Sequence, residues 1–274
     1  MVSKILKSIW AVALVSLFYA CGDDDGTQVQ ITSDDIKTAQ DFEAAQAAFA
    51  DATMMSEQAL SDDQGSQGGR LLQCFEAGPG EGENELIIYF NGECTDNFGV
   101  ARSGNIIYST TGTLFQEGFQ FNITFDNYSR DGYTLNGTIS SGDWGFNNDG
   151  NLSYTNTITD GSLEFPDESV FKLNRTLTFE WADGLGTGDL FDNVYKVTGN
   201  SDGVNRQGVA YTAEIVDPIT VKSACWIDNI TVPVDGSFKI NAVERPEVVV
   251  DYGDGTCDND GTISIGSISQ SITL

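Results

Sequence analysis

An all-β fold, a large curved antiparallel meander with one N-terminal amphipathic helix, is what this sequence predicts, and three observations carry it. Beyond Leu71, apolar and polar residues alternate at a two-residue period in one short run after another. Clusters of Asn, Asp, Ser and Gly separate the runs, and no helical period is inserted between them, which excludes parallel βαβ folds. One segment alone, residues 33–60, repeats its apolar residues at steps of three and four.

Taken in order, Lys4 and Lys7 precede an apolar run at 9–20, the pattern of a signal peptide. That run is too short to span a ~30 Å bilayer, which needs ~20 residues. Residues 1–20 are therefore expected to be removed. Ala20 before Cys21 resembles the lipobox of bacterial lipoproteins, although Phe18 and Tyr19 are bulkier than its commonest residues. Cys21 is the expected lipidation site, and acyl chains worth ~0.8 kcal/mol per CH₂ would anchor it durably. Residues 21–32 read as a flexible tether. Its acidic cluster Gly22-Asp23-Asp24-Asp25-Gly26 is similar to the export signal of Bacteroidota surface lipoproteins.

Within 33–60, Ile36, Ala39, Phe42, Ala45, Ala48 and Phe49 form one apolar stripe, with Ser33 placed as the N-cap. Such a helix is expected to pack on the body of the protein. Residues 61–70, rich in Gly, Ser, Gln and Asp, read as a linker. The β domain is expected over 71–274. Its runs include Phe119, Phe121, Ile123 and Phe125; Tyr133, Leu135 and Ile139; Val209, Tyr211, Ala213 and Ile215; and Val248 with Val250. Turns are expected at 147–150, 183–186, 201–203 and 234–236. Roughly ten to fourteen strands must curl or double over to bury the apolar face, as a half-barrel, barrel or sandwich.

The chain carries 41 acidic and 13 basic residues, a net charge of −28. Without Lys4 and Lys7, 11 basic residues face the 41 acids and the charge is −30. Such a surface repels phosphate backbones, so nucleic acid is not an expected partner. There is no histidine. That removes Ser-His-Asp and Cys-His catalysis, His-ligated zinc and a histidine general base. With no other catalytic motif in view, the chain reads as a non-enzyme.

Apart from Cys21, four cysteines remain, and an even number in an exported chain implies disulfides with three connectivities. Cys74 with Cys94 and Cys225 with Cys257 are the expected pairs, since each pair fits on neighbouring antiparallel strands. No CxxC spacing occurs to suggest a zinc or thioredoxin-like centre.

Three stretches carry a resemblance. They are Cys94-Thr95-Asp96-Asn97-Phe98-Gly99-Val100-Ala101-Arg102-Ser103-Gly104-Asn105-Ile106-Ile107, then Asn205-Arg206-Gln207-Gly208-Val209-Ala210-Tyr211, and above all Asp251-Tyr252-Gly253-Asp254-Gly255-Thr256-Cys257-Asp258-Asn259. From about residue 85 onward the chain resembles a family of uncharacterised Bacteroidota (flavobacterial) surface lipoproteins, whose members close on a similar glycine- and aspartate-rich turn and a last strand. The resemblance implies a lipid-anchored outer-membrane protein exposed at the cell surface, and it supports the cysteine pairing. It brings no activity and no binding residue.

Two features are candidates for chemistry. Asp254, Asp258 and Asp260 set oxygen ligands at short spacing, as calcium loops do. Their order is not that of an EF-hand, and Asp and Asn side chains bonding their own backbone is the competing reading. Structural calcium is the one cofactor the sequence leaves open. Trp144 and Trp181, among glycine and aspartate, are candidate platforms for sugar rings, against the plainer reading that they close the core. The functional expectation is thus a surface-displayed outer-membrane lipoprotein acting as a structural or binding module. A glycan-binding or glycan-processing accessory and a calcium-stabilised adhesin are the alternatives. The membrane, through the lipid, and a glycan or outer-membrane protein are the expected partners.

Overall fold

In the computed structural model, which describes residues 30–63, 75–96, 99–112, 118–187, 189, 191–228 and 230–274, one long helix is followed by thirteen antiparallel strands. The helix α1 spans Ser33–Asp63. The strands are β1 (Glu76–Pro79), β2 (Glu85–Thr95), β3 (Ala101–Thr111), β4 (Gln120–Arg130), β5 (Tyr133–Phe146), β6 (Leu152–Glu164) and β7 (Val170–Asp183), then β8 (Val194–Val204), β9 (Ala210–Lys222), β10 (Asp235–Ala242), β11 (Val248–Asp254), β12 (Asp260–Ile265) and β13 (Ile268–Thr273). Each strand pairs with the next, and the sheet is not closed into a barrel. The predicted all-β curved meander is the fold observed.

Helix α1 starts one residue earlier in its capping than the sequence suggested. Thr32, not Ser33, is the cap: its backbone N–H donates to Asp35 Oδ2 (2.8 Å), and the Asp35 N–H donates back to Thr32 Oγ1 (3.3 Å). This reciprocal box needs an acceptor three residues after the cap. Asp35 stands there for Thr32, whereas Ile36 would stand there for Ser33. Arg245, between β10 and β11, adds bonds to Asp35 Oδ2 (2.6 Å), Asp35 Oδ1 (3.1 Å) and Thr32 Oγ1 (2.9 Å). At its other end the helix runs through Ser61, Asp62 and Asp63, because no glycine or proline interrupts it before Gly65.

Burial pushes the Asp35 carboxyl up, but hydrogen bonds from Arg245 and Thr32 outweigh it and hold the pKa below the ordinary value. A depressed carboxylate contributes stability above its unfolded pKa of ~3.9 and loses it as pH falls through the lower folded value. Asp35→Asn should therefore lower stability by about 1 kcal/mol at neutral pH. In melts recorded at stepped pH, the gap from wild type should close below about pH 4. A gap that persists unchanged in acid would show that the charge is not its source.

The expected stripe of Ala39, Phe42, Ala45, Ala48 and Phe49 is buried, and Ala52, Met55 and Ala59 extend it. Yet Thr38, Asp41, Glu43, Asp51, Ser56 and Gln58 are buried too. The helix is therefore the axis around which the sheet curls, in contact with β2 through β7, rather than a cover laid on one face. Its alanines permit this, since a methyl group lets surrounding strands approach closely. The inward residues of nearly every strand join the helix in one core, among them Ile88, Ile106, Ile123, Leu135, Ile158, Leu173, Phe238 and Val250.

Curvature comes from register shifts between successive strands, found at every pairing from β2–β3 to β9–β10. A bulge bends its strand and increases the local twist. Gly104 in β3 illustrates the need for glycine: its φ is 78°, and a Cβ there would lie 2.1 Å from the Asn127 carbonyl oxygen. The turns expected at 201–203 and 234–236 fall instead inside β8 and at the start of β10. Gly203 is there for close approach. Its added Cβ would meet the Lys172 carbonyl at 1.9 Å and the Tyr211 hydroxyl at 2.8 Å, and that hydroxyl donates to the same carbonyl.

Cys225 and Cys257 form the expected disulfide, with Cα atoms 5.4 Å apart. Neither lies on a strand, contrary to the geometry expected. The bridge ties the short 3-10 turn Ser223–Asp228 after β9 to the loop between β11 and β12. Closing a loop of this length contributes about 3–4 kcal/mol on the chain-entropy estimate. Cys94 on β2 is also disulfide-bonded, while Cys74, the partner expected for it, lies outside the described residues, as does Cys21. Among the described residues, no helix is long and apolar enough to cross a membrane.

Candidate functional site

One face of α1 is not sealed by the sheet. Glu43, Gln46, Ala47, Ala50, Thr53, Met54 and Glu57 recur at steps of three and four, so they form a single stripe. Ala50 and Glu57 are exposed, and Gln46, Ala47, Thr53 and Met54 between them are half-buried. Opposite them stand Tyr154 and Asn156 from β6, Arg175, Leu177 and Phe179 from β7, Tyr195 and Val197 from β8, and Ile215, Ile219 and Val221 from β9. Trp226, Thr231 and Pro233, in the connection from β9 to β10, complete the wall. Between them lies a cavity of about 190 Å³. Ala47 and Ala50 place only methyl groups on this side, so the helix does not fill the space the strands leave.

Polar groups gather at two places in the wall. At the first, Arg102 donates to Asp51 Oδ1 (2.6 Å) and Oδ2 (3.2 Å) and to Asp96 Oδ2 (2.5 Å). Tyr128 Oη donates to Asp51 Oδ2 (3.2 Å), and Arg130 Nε lies 3.5 Å from Asp51 Oδ1. Burial works against the charge of Arg102, but Asp51 and then Asp96 more than compensate and hold its pKa above the ordinary value. Two aspartates and two arginines leave this cluster neutral.

At the second place, Tyr252 Oη donates to Glu43 Oε1 (2.5 Å). Arg175 donates to Gln46 Oε1 (2.5 Å) and to Asn156 Oδ1 (3.0 Å). Burial pushes Glu43 up to about 7, against the Tyr252 hydrogen bond and the field of Arg175. Burial also pulls Arg175 down to about 10. Glu57, an exposed residue that also lines the cavity, has its pKa raised to about 7 by the protein packed around it. Both glutamates are thus held above the usual carboxylate range. They stand fourteen residues apart on one helix, about 21 Å at 1.5 Å per residue. Paired-carboxylate glycoside hydrolysis works at ~5–9.5 Å, so these two do not form such a pair.

Compared with family models, curated proteins and solved structures, the chain matches none. What the cavity does must come from its own chemistry.

The residues singled out from sequence lie elsewhere. Trp144 is within β5, only 5% exposed, stacked on Tyr154 at 4.3 Å and edge-on to Phe119 at 5.3 Å, with its indole N–H donated to Ser141 Oγ. It is a core residue and offers no ring face to a sugar in solution, which corrects that expectation. Trp181 lies at the end of β7, half-buried against Tyr195, its indole N–H donated to Asn193 Oδ1 (3.0 Å). Asp254 Oδ1 accepts from the Thr256 N–H and hydroxyl, and Asp258 Oδ1 accepts from the Asp260 N–H. These are the self-bonded turns weighed against a calcium loop. Among the described residues, no three His, Cys, Asp or Glu side chains gather as a metal site.

Sequence reasoning missed Glu43, Asp51, Glu57, Arg102 and Arg175. A signal was present: Glu43 and Asp51 stand among alanines where a buried helix should carry none. Their partners, 209 and 51 residues away, have no local signature.

Proposed function

We propose that this chain is a lipid-anchored lipoprotein displayed at the outer-membrane surface, acting as a binding module whose ligand seat is the cavity between α1 and strands β6–β9. The cavity carries the reading. Ligand sites are concave, mostly apolar and furnished with a few converging polar groups, as this one is. The anchor rests on the apolar N-terminal run before Cys21 and on the resemblance to Bacteroidota lipoproteins. The lack of histidine and the distance between the two cavity glutamates favour a binder over an enzyme.

Cys21→Ala should move the protein from the membrane fraction to the soluble one in cell fractionation; unaltered membrane association would remove the anchor. For the seat, a thermal-shift screen of small amphipathic molecules should return ligands that raise the melting temperature of wild type but not of Ala50→Trp, whose indole fills the cavity. Ligands that stabilise both proteins equally bind elsewhere. Glycan contact is a second reading, favoured by the incomplete burial of Trp181 at the end of β7. Saturable binding on a glycan array that is lost in Trp181→Ala would select it.

A further inference from the structure

Resting on that reading of the cavity as a ligand seat, we infer that its ligand is a small carboxylate with a ring-sized apolar body, the carboxylate seated on Arg175. The arginines around α1 otherwise follow one rule. Arg102 and Arg130 meet Asp51, Arg206 meets Asp41, and Arg245 meets Asp35. Arg175 meets Gln46, an amide, and on its other side Asn156, another amide. It is 6% exposed, and among the described residues no carboxylate lies within ion-pair distance of it. Its Nε has no hydrogen-bond partner.

A guanidinium has five N–H donors in a planar fork suited to a carboxylate, and a buried cation without a touching anion is costly. The lowered pKa of Arg175 has that cause. Glu43 acts on it only through space, is tied to Tyr252, and holds its own proton for much of the time near neutrality. Of the other acids lining the cavity, Asp51 and Asp96 are bound to Arg102. Glu57 lies eleven residues along the helix from Gln46, about 16 Å away along its axis. The position opposite Arg175 is therefore the place in the wall where a negative charge is best received.

Size and lining define the rest of the ligand. A cavity of ~150 Å³ lined by apolar side chains accommodates benzene, and the one here is about 190 Å³. Leu177, Phe179, Val197 and Ile219 beside Arg175 supply the apolar contact.

The test uses the full chain carrying Cys21→Ser, so that no acyl group competes, and calorimetric titration with three near-isosteres: phenylacetate, 2-phenylethanol and 2-phenylethylamine. Phenylacetate should bind about ten- to a hundredfold tighter than the alcohol, the margin expected of charge-assisted hydrogen bonds, and the amine should bind weakest. In Arg175→Met, binding of the alcohol should persist, which reports an intact cavity, while the preference for the acid disappears. The order of affinities in the Arg175-containing protein decides the matter even if that variant does not fold. Equal affinities, or a tighter amine, would overturn the carboxylate assignment while leaving the cavity as a seat. No binding by any of the three would overturn both.

Discussion

Asp51→Ala is expected to destabilise the protein by about 3–5 kcal/mol, the range for removing one partner of a buried ion pair. Asp51 accepts from Arg102 Nε and Nη2 and from the Tyr128 hydroxyl, and its side chain is 3% exposed against 2% for Arg102. Removing it leaves Arg102 with Asp96 alone and deprives Arg130 of an acid 3.5 Å away. Urea titration should show the midpoint falling with the slope unchanged, because the folded surface does not alter. A loss below about 1 kcal/mol for Asp51→Ala would mean that solvent reaches the cluster.

Phe42→Ala should cost a similar 3–5 kcal/mol through the cavity it opens. Its ring stacks on Phe238 at 5.0 Å and meets Phe171 and Tyr211 edge-on at 6.4 and 6.0 Å, so one side chain joins α1 to β7, β9 and β10. Phe146→Ala is the matched control. That ring is 68% exposed against 3% for Phe42, and its loss should stay within about 0.5 kcal/mol. Equal effects of the two substitutions would contradict the placement of the helix at the axis of the sheet.

The helix acids explain how a chain of net charge −28 keeps charge inside its fold. Asp35, Asp41 and Asp51 lie along α1, and each is held by an arginine from a different part of the sheet, at Arg245, Arg206 and Arg102. The three pairs tie α1 to β3, to the β8–β9 connection and to the β10–β11 connection.

Much of the fold was legible because the information is local. A two-residue period places Phe121 and Ile123 inward wherever the strand ends up, and a three-four period places Phe42 and Phe49 together on any helix. Local signals misled where glycine had another use. Gly203 and Gly236 look like turn residues, yet one makes room for the Tyr211 hydroxyl and the other sits at a bulge. Ser33 has the chemistry of a cap, but the reciprocal acceptor belongs to Thr32. Trp144 has loop-like neighbours, and its burial is decided by Tyr154 on the adjacent strand.

By itself the sequence determined the order and type of the elements, the inward face of each strand and the exclusion of histidine chemistry, since these follow from residue identity and near-neighbour spacing. Only the tertiary structure decided that the helix is enclosed, which acids meet arginines, that Arg175 meets amides instead, and where a cavity is left. The physical reason is that each of these depends on how successive bulges bend the sheet around α1, and that curvature brings together residues 51 to 210 positions apart.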